Sequence, residues 1–140
     1  MPEKELVEAI VFFVLGVMLF GSLFITIERI LLFKNLQIDQ YEKRQELEID
    51  LTRYMSPMAT IGSNAPYVGL LGTVFGIIIT FYQIGQGGGA LEAGAIMTGL
   101  ALALWATAAG LFVAIPTMVL YNLLNRRIDV FLARWDAHHA

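Results

Sequence analysis

The residues able to do chemistry in this sequence are threonines and glycines set in long uncharged runs. Gly69, Thr73, Gly76 and Thr80 recur at i, i+4, i+7 and i+11, which places them on one helix face, with Gly72 beside them. Gly99, Ala103, Ala106, Gly110 and Thr117 form a second stripe, with Thr107 next to it. Small residues at this spacing let helix backbones approach closely. Threonine hydroxyls there can bond across the contact, or back to the carbonyl four residues earlier. Two roles are open: packing alone, or a narrow path lined by Thr73, Thr107 and Thr80, whose hydroxyls hold water and ease a proton or ion through a low dielectric. Neither run supplies an acid or base of its own. Between Tyr54 and Arg126 the only Asp, Glu, Lys, Arg or His is Glu92, expected at the outer surface. A proton path here would take its acid from a partner chain. No nucleophile–base pair points to an enzyme.

Metal and cofactor chemistry find little support. There is no cysteine, which excludes disulfides and thiolate sites. His138 and His139 are the only histidines; they sit at the tail with no carboxylate framework, so neither a metal nor a cofactor is expected. A net charge of −3 and the lack of a basic, aromatic-interleaved patch argue against nucleic acid.

The elements that must position the threonines are membrane helices. Hydrophobic residues make up 57% and charged residues 15% of the 140, against about 25% charged in soluble domains; mean hydropathy is +0.67. So small a chain cannot hide that much apolar surface in one core. Ala9–Ile27 carries no charge and, at roughly 1.5 Å per residue, can span the hydrocarbon. The acidic start MPEKELVEAI lacks the basic region of a signal peptide, so this run reads as a retained span, over about 8–33. At its end stand Glu28 and Arg29, either snorkelling to the interface or forming an intramembrane pair. Lys34–Ser56 is charge-dense, with Leu47, Leu51, Tyr54, Met55 and Met58 at helical spacing, and predicts an amphipathic connector within a linker over 34–60.

Ser56–Pro57 predicts an N-cap and N1 proline. The second span is expected over 61–84, with Pro66 either kinking it or following a start near Ser63–Asn64. The glycine-rich QGGGA (Gln86–Ala90) predicts a short loop within 85–93. The third span, over 94–124, belongs to an uncharged run from Ala93 to Asn125. That run would be about 50 Å long as a helix, more than the roughly 30 Å core, so it tilts or protrudes. An amphipathic helix follows over 125–140. The fold class is therefore an all-α integral membrane protein with three spans and helical extensions. Arg29, Lys34, Lys43, Arg44 and Arg53 flank the connector, and Arg126, Arg127 and Arg134 mark the tail, while the N-terminus has only Lys4. The positive-inside rule puts connector and tail in the cytoplasm, with the N-terminus and glycine loop outside.

Two segments carry a family resemblance. NAPYVGLLGTVFGI (Asn64–Ile77) and ALWATAAGLFVAIPTMVLYN (Ala103–Asn122) resemble the signature of the ExbB/TolQ/MotA-type proton-channel family, most of all its ExbB type. The match covers both later spans; the first span and connector resemble the family only in layout. The resemblance implies a pentamer in the bacterial inner membrane around single-span ExbD-like helices that bear an essential aspartate. Proton flow would turn those helices and, with a TonB-like protein, energise uptake across the outer membrane. It assigns the pore threonines to Thr73 and Thr107, and signature positions to Pro66, Tyr67, Pro116, Tyr121 and Asn122. Longer ExbB proteins carry a glutamate five residues before the second threonine, where this chain has Leu102, and Trp105 is bulkier than usual. With a shorter N-terminus and cytoplasmic part, the resemblance favours a compact ExbB type. A TolQ-like role in envelope maintenance rests on the same motif. A structural membrane oligomer without an ion path explains the small-residue stripes equally well. A self-sufficient transporter fits poorly, since no inverted repeat or central ionisable site is visible.

Overall fold

A computed structural model describes residues 2–87 and 93–140. Four helices and one short 3₁₀ turn account for nearly all of it: α1 (Pro2–Lys34), the turn Ile38–Gln40, α2 (Arg44–Leu51), α3 (Met55–Gln86) and α4 (Ala93–His138). No strand occurs among the described residues. Helices α1, α3 and α4 are each long and apolar enough to cross a membrane. The ends of α1 suit the helix dipole: it opens with Glu3 and Glu5 and closes with Lys34.

The register is set by small residues. Gly69 meets Ala106 and Gly110, Gly76 meets Ala103, and Gly99 meets Thr80, so α3 and α4 run antiparallel. Helix α1 lies against both. Val11 meets Gly72 and Gly21 meets Ile61, antiparallel to α3, while Ser22 bonds Thr117 and Phe33 packs edge-on to Phe131, parallel to α4. Outward faces are oily: Phe13, Phe20 and Phe112 are each more than 70% exposed. Within a bilayer such side chains meet lipid.

The connector differs from the single helix its spacing predicts. It breaks into the turn Ile38–Gln40 and the eight-residue α2. Leu47, Leu51, Met55 and Met58 are all buried, but on two helices, because the helix breaks at Thr52–Tyr54. Tyr54 takes a left-handed conformation (φ 68°) at that break, which costs a non-glycine residue about 1–2 kcal/mol. The segment between α1 and α2 brings Leu36, Ile38 and Tyr41 onto a core with Ile25, Phe33, Leu124 and Ile128. Burying Leu47 and Leu51 completely contributes about 1.5–3 kcal/mol each, enough to offset the strained turn.

Two boundaries move as well. Tyr54 is the N-cap of α3, so Pro57 stands at N3 and not N1; its missing N–H still falls among the donors that lack a helical partner. The first helical bond runs from Met58 N to Tyr54 O at 3.2 Å. The helix then continues through Pro66, with no start at Ser63–Asn64. Those two side chains instead bond backward, Ser63 Oγ to Ala59 O (2.7 Å) and Asn64 Nδ2 to Thr60 O (2.8 Å). Helix α4 is unbroken across Pro116 and across the expected junction at 124–125. The glycine-rich loop expected at 85–93, including Glu92, lies outside the described residues from 88 to 92.

Candidate functional site

Thr73 stands at the middle of the α3–α4 seam, where backbones touch. A Cβ on Gly69 would stand 2.5 Å from Ala106 O, and one on Gly110 would stand 2.7 Å from Ala65 O. That approach brings Thr73 Oγ1 to Ala103 O across the seam at 2.8 Å, within 3.3 Å of its own Gly69 O, and into contact with Thr107 Oγ1. A hydroxyl has one proton. Thr73 gives it to Ala103 O, the carbonyl Thr107 would ordinarily use four residues back along its own helix. Thr107 therefore donates to Thr73, and the two hydroxyls form a directional pair. Thr73 is buried; Thr107 is half-buried and is the pair's opening to the surface.

The remaining sequence candidates divide by position. Thr80 is buried, donates to Gly76 O at 2.8 Å and accepts from Lys4 Nζ at 3.4 Å, so in the protomer it faces neighbouring helices and not an open lumen. Gly69, Gly72, Gly76, Gly99, Ala103, Ala106 and Gly110 all lie buried along the seam. Tyr67, Pro116 and Asn122 are exposed on the outer surface, while Pro66 and Tyr121 are half-buried. Leu102 is exposed, outside the seam. Trp105 is exposed and borders an apolar groove with Phe12, Gly16 and Phe112. At the tail, His139 stacks on Trp135 at 3.9 Å.

Helix α1 brings polar groups that spacing on the later spans does not reveal. Thr117 donates to Val113 O at 2.8 Å, so Ser22 Oγ, also at 2.8 Å, must be the donor to Thr117 Oγ1. Thr26 bonds back to Ser22 O at 2.8 Å. These side chains sit on the buried stripe Val11, Leu15, Ser22, Ile25, Arg29 and Phe33, a signal the sequence holds at three- and four-residue spacing.

Arg29 resolves the choice posed at the end of the first span. It does not snorkel: it is 1% exposed. Its guanidinium forks onto Glu28 (Nε–Oε2 2.5 Å, Nη2–Oε1 2.7 Å), although adjacent helix positions diverge, because both side chains are long enough to curl together. Nη1 then donates to the carbonyls of Asp50 (2.5 Å) and Leu51 (3.0 Å). These are end-of-helix acceptors of α2 that lack helical donors, so Arg29 ties the connector to the membrane helix. Nearby, Tyr41 Oη donates to Asp50 Oδ2 at 2.6 Å, and Trp135 Nε1 donates to Tyr41 O at 3.0 Å. The bond to Asp50, then burial, then the Asp50 charge hold the Tyr41 phenol above its ordinary value, with Arg53 pulling the other way.

Residues 25–137 match the MotA/TolQ/ExbB proton channel family, and the chain belongs to that family. It is 49% identical over 127 residues to the biopolymer transport protein ExbB of Helicobacter pylori, covering 91% of this chain and 87% of that protein. It is 46% identical over 139 residues to the ExbB of Aquifex aeolicus, covering 97% and 93%. The Tol-Pal system protein TolQ of Pseudomonas aeruginosa is 44% identical over 78 residues, 56% of this chain and 33% of that protein. With its three apolar helices, the protein is a multi-pass membrane protein of a transport family.

Proposed function

We propose that this chain is an ExbB-type subunit of an inner-membrane complex that couples proton entry to movement of a single-span, ExbD-like partner. That movement, with a TonB-like protein, would energise transport across the outer membrane. The observation that carries the reading is the Thr73–Thr107 hydroxyl pair, set in a seam whose two helices offer no Asp, Glu, Lys, Arg or His before Arg126 among the described residues. Such a pair can orient water or a proton, yet cannot hold the proton as an acid. The acid then belongs to the partner's membrane aspartate. A pentamer around that partner accommodates the arrangement, with Thr107 on the side open to other chains. Lys and Arg cluster at the connector and tail, which favours a cytoplasmic C-terminus and a periplasmic N-terminus. The partial match to TolQ supports a second reading, the same machinery serving envelope maintenance.

The test is Thr73→Val and Thr107→Val, alone and together, co-expressed with the neighbouring partner. Siderophore-dependent growth and proton uptake in reconstituted vesicles should fall while the assembly, weighed by native mass spectrometry, stays intact. Full proton-coupled activity in the double variant would remove the hydroxyl pair from the path and favour a structural oligomer. Envelope sensitivity to detergent in place of a siderophore defect would select the TolQ-like reading.

A further inference from the structure

Helix α4 leaves its apolar run on a pair of arginines. No charged residue stands between Ala93 and Asn125; Arg126 and Arg127 then follow together, and Arg134 comes about two turns later. These three side chains border one cavity of about 240 Å³, to which Val130 and Phe131 add apolar surface. Phe33, next to the closing Lys34 of α1, packs edge-on to Phe131 with ring centroids 5.5 Å apart. The end of α1 therefore stands at the level of the cavity. Arg126 and Arg127 are the first charges α4 offers on leaving the hydrocarbon, the level at which a bilayer places its headgroups.

The pairing of arginines divides the molecule. Arg29 meets Glu28 at 2.5 Å, Arg44 meets Glu48 and Asp136 at 3.2 and 3.1 Å, and Arg53 meets Asp50 at 3.4 Å. Arg126, Arg127 and Arg134 enter no such ion pair among the described residues. On their own helix, Asp136 is taken by Arg44, and the exposed Asp129 is in no ion pair among the described residues. Lys34 adds a further positive charge at the end of α1. Arg127 is also held in place: its Cζ lies 6.0 Å from the ring centroids of both Phe33 and Phe131. That attraction to the ring faces orients a long side chain before any ligand arrives. Like charges gathered round one cavity repel, and an anion placed among them removes that cost. Guanidinium groups match phosphate oxygens with two parallel N–H donors at a time.

We propose that Arg126, Arg127 and Arg134 bind a phosphate group, and that this phosphate is the headgroup phosphodiester of an anionic phospholipid. The lining chooses lipid over free phosphate. A free phosphate ion gains nothing from Val130 and Phe131. A phospholipid brings a glycerol backbone and acyl chains that cover this apolar surface and continue along the uncharged run of α4. Because Arg127 lies over both Phe33 and Phe131, the bound lipid also braces the ends of α1 and α4 against each other. The site does not rest on the proton-driven reading above.

The test places the intact chain with its partner in phosphatidylcholine nanodiscs that contain a minor share of phosphatidylglycerol. Native mass spectrometry of the released complex then reads which lipid stays bound. Phosphatidylglycerol should be retained in preference to phosphatidylcholine; no preference overturns the proposal. All three arginines are exposed, so their replacement leaves the core intact. Arg126→Gln, Arg127→Gln and Arg134→Gln should each weaken retention about fivefold, and the triple variant should lose the preference. Arg127→Lys should also weaken it, because an ammonium lacks the fork. The control removes as many charges from the connector, with Lys43→Gln, Arg44→Gln and Arg53→Gln together, and should keep the lipid. Equal loss in the control and the triple variant reduces the effect to diffuse surface charge and overturns the site. Inorganic phosphate is the second probe. It should leave the bound lipid in place; displacement of phosphatidylglycerol by inorganic phosphate overturns the lipid assignment in favour of a soluble anion. Unchanged lipid retention in the triple variant, with loss of the partner chain from the complex, overturns it in favour of a protein-docking patch.

Discussion

The seam between α3 and α4 can be tested by moving one methyl group across it. A Cβ on Gly76 would stand 2.7 Å from Ala103 Cβ and 3.3 Å from Ala103 Cα. Carbon atoms in good contact are about 3.5–4.0 Å apart, so Gly76→Ala must open the helices by roughly 1 Å. One turn away, the bond from Thr73 to Ala103 O is 2.8 Å; stretched by the same amount it passes beyond about 3.5 Å and ceases to be a hydrogen bond. Overpacking costs about 1–3 kcal/mol and the lost bond about 0.5–1.5, against about 0.5–1 regained from helix propensity. The net expectation is a loss of roughly 0.5–4 kcal/mol, centred on about 2.

Ala103→Gly placed in the Gly76→Ala background should undo that loss. The methyl has only changed sides, and the propensity terms cancel because one glycine and one alanine remain. The double variant should then lie within about 0.5 kcal/mol of the parent. Gly69→Ala is the contrast. Its Cβ would meet backbone, Ala106 O at 2.5 Å and Gly110 Cα at 3.0 Å, so no side-chain trimming can relieve it. Reversible unfolding in mixed micelles measures the complete double-mutant cycle. A double variant as unstable as Gly76→Ala alone would refute the methyl-for-methyl account of the seam.

Two further outcomes follow from the connector. Arg29→Gln should destabilise the attachment of α2 by about 3 kcal/mol, since it unpairs half-buried Glu28 and strips two carbonyls of their donor; Arg29→Lys should recover little of this, because an ammonium lacks the planar fork. Proteolysis in inverted vesicles should show faster cleavage within 35–54, and unchanged cleavage would refute the tie. The neutral Tyr41 phenol is the form favoured by folding, since its value is raised from 10.0. Its stabilisation is full below that unfolded value and is lost as pH rises through the raised folded one. In ultraviolet titration, read as a difference against Tyr41→Phe, Asp50→Asn should lower the phenol midpoint toward the ordinary value; an unmoved midpoint would show that Asp50 is not the cause.

How much of this was legible varied with the kind of signal. Gly69, Thr73, Gly76 and Thr80 declare a shared face because helical periodicity alone sets it. Which partner face they meet depends on the register between helices. That Thr73 takes the Ala103 carbonyl from Thr107 is a fact of tertiary packing that no spacing encodes. Arg29 was legible as an unusual charge but not as a cap for α2, because its acceptors lie more than twenty residues away, across a turn held by the left-handed Tyr54. The connector misleads because Leu47, Leu51, Met55 and Met58 keep helical spacing across a real break.

Buried polarity in the bundle is layered, and the layers are closed unequally. Lys4 and Thr80 close one, Ser22 and Thr117 another, and both depend on α1. The Thr73–Thr107 layer is closed by α3 and α4 alone. On α4, Thr107 and Ala109 are two residues apart, so they point roughly 160° away from each other around the helix. Ala109 lies in the groove with Phe12 and Gly16 of α1, so Thr107 faces the flank that α1 leaves uncovered. Helices whose backbones meet at Gly69 and Gly110 are poorly suited to sliding or parting, since any separation discards a whole row of close contacts and the bond to Ala103 O. The seam therefore behaves as a rigid wall. On the proposed function, proton-linked movement belongs to whatever docks against the open Thr107 flank, while α3 and α4 hold the hydroxyl pair in place.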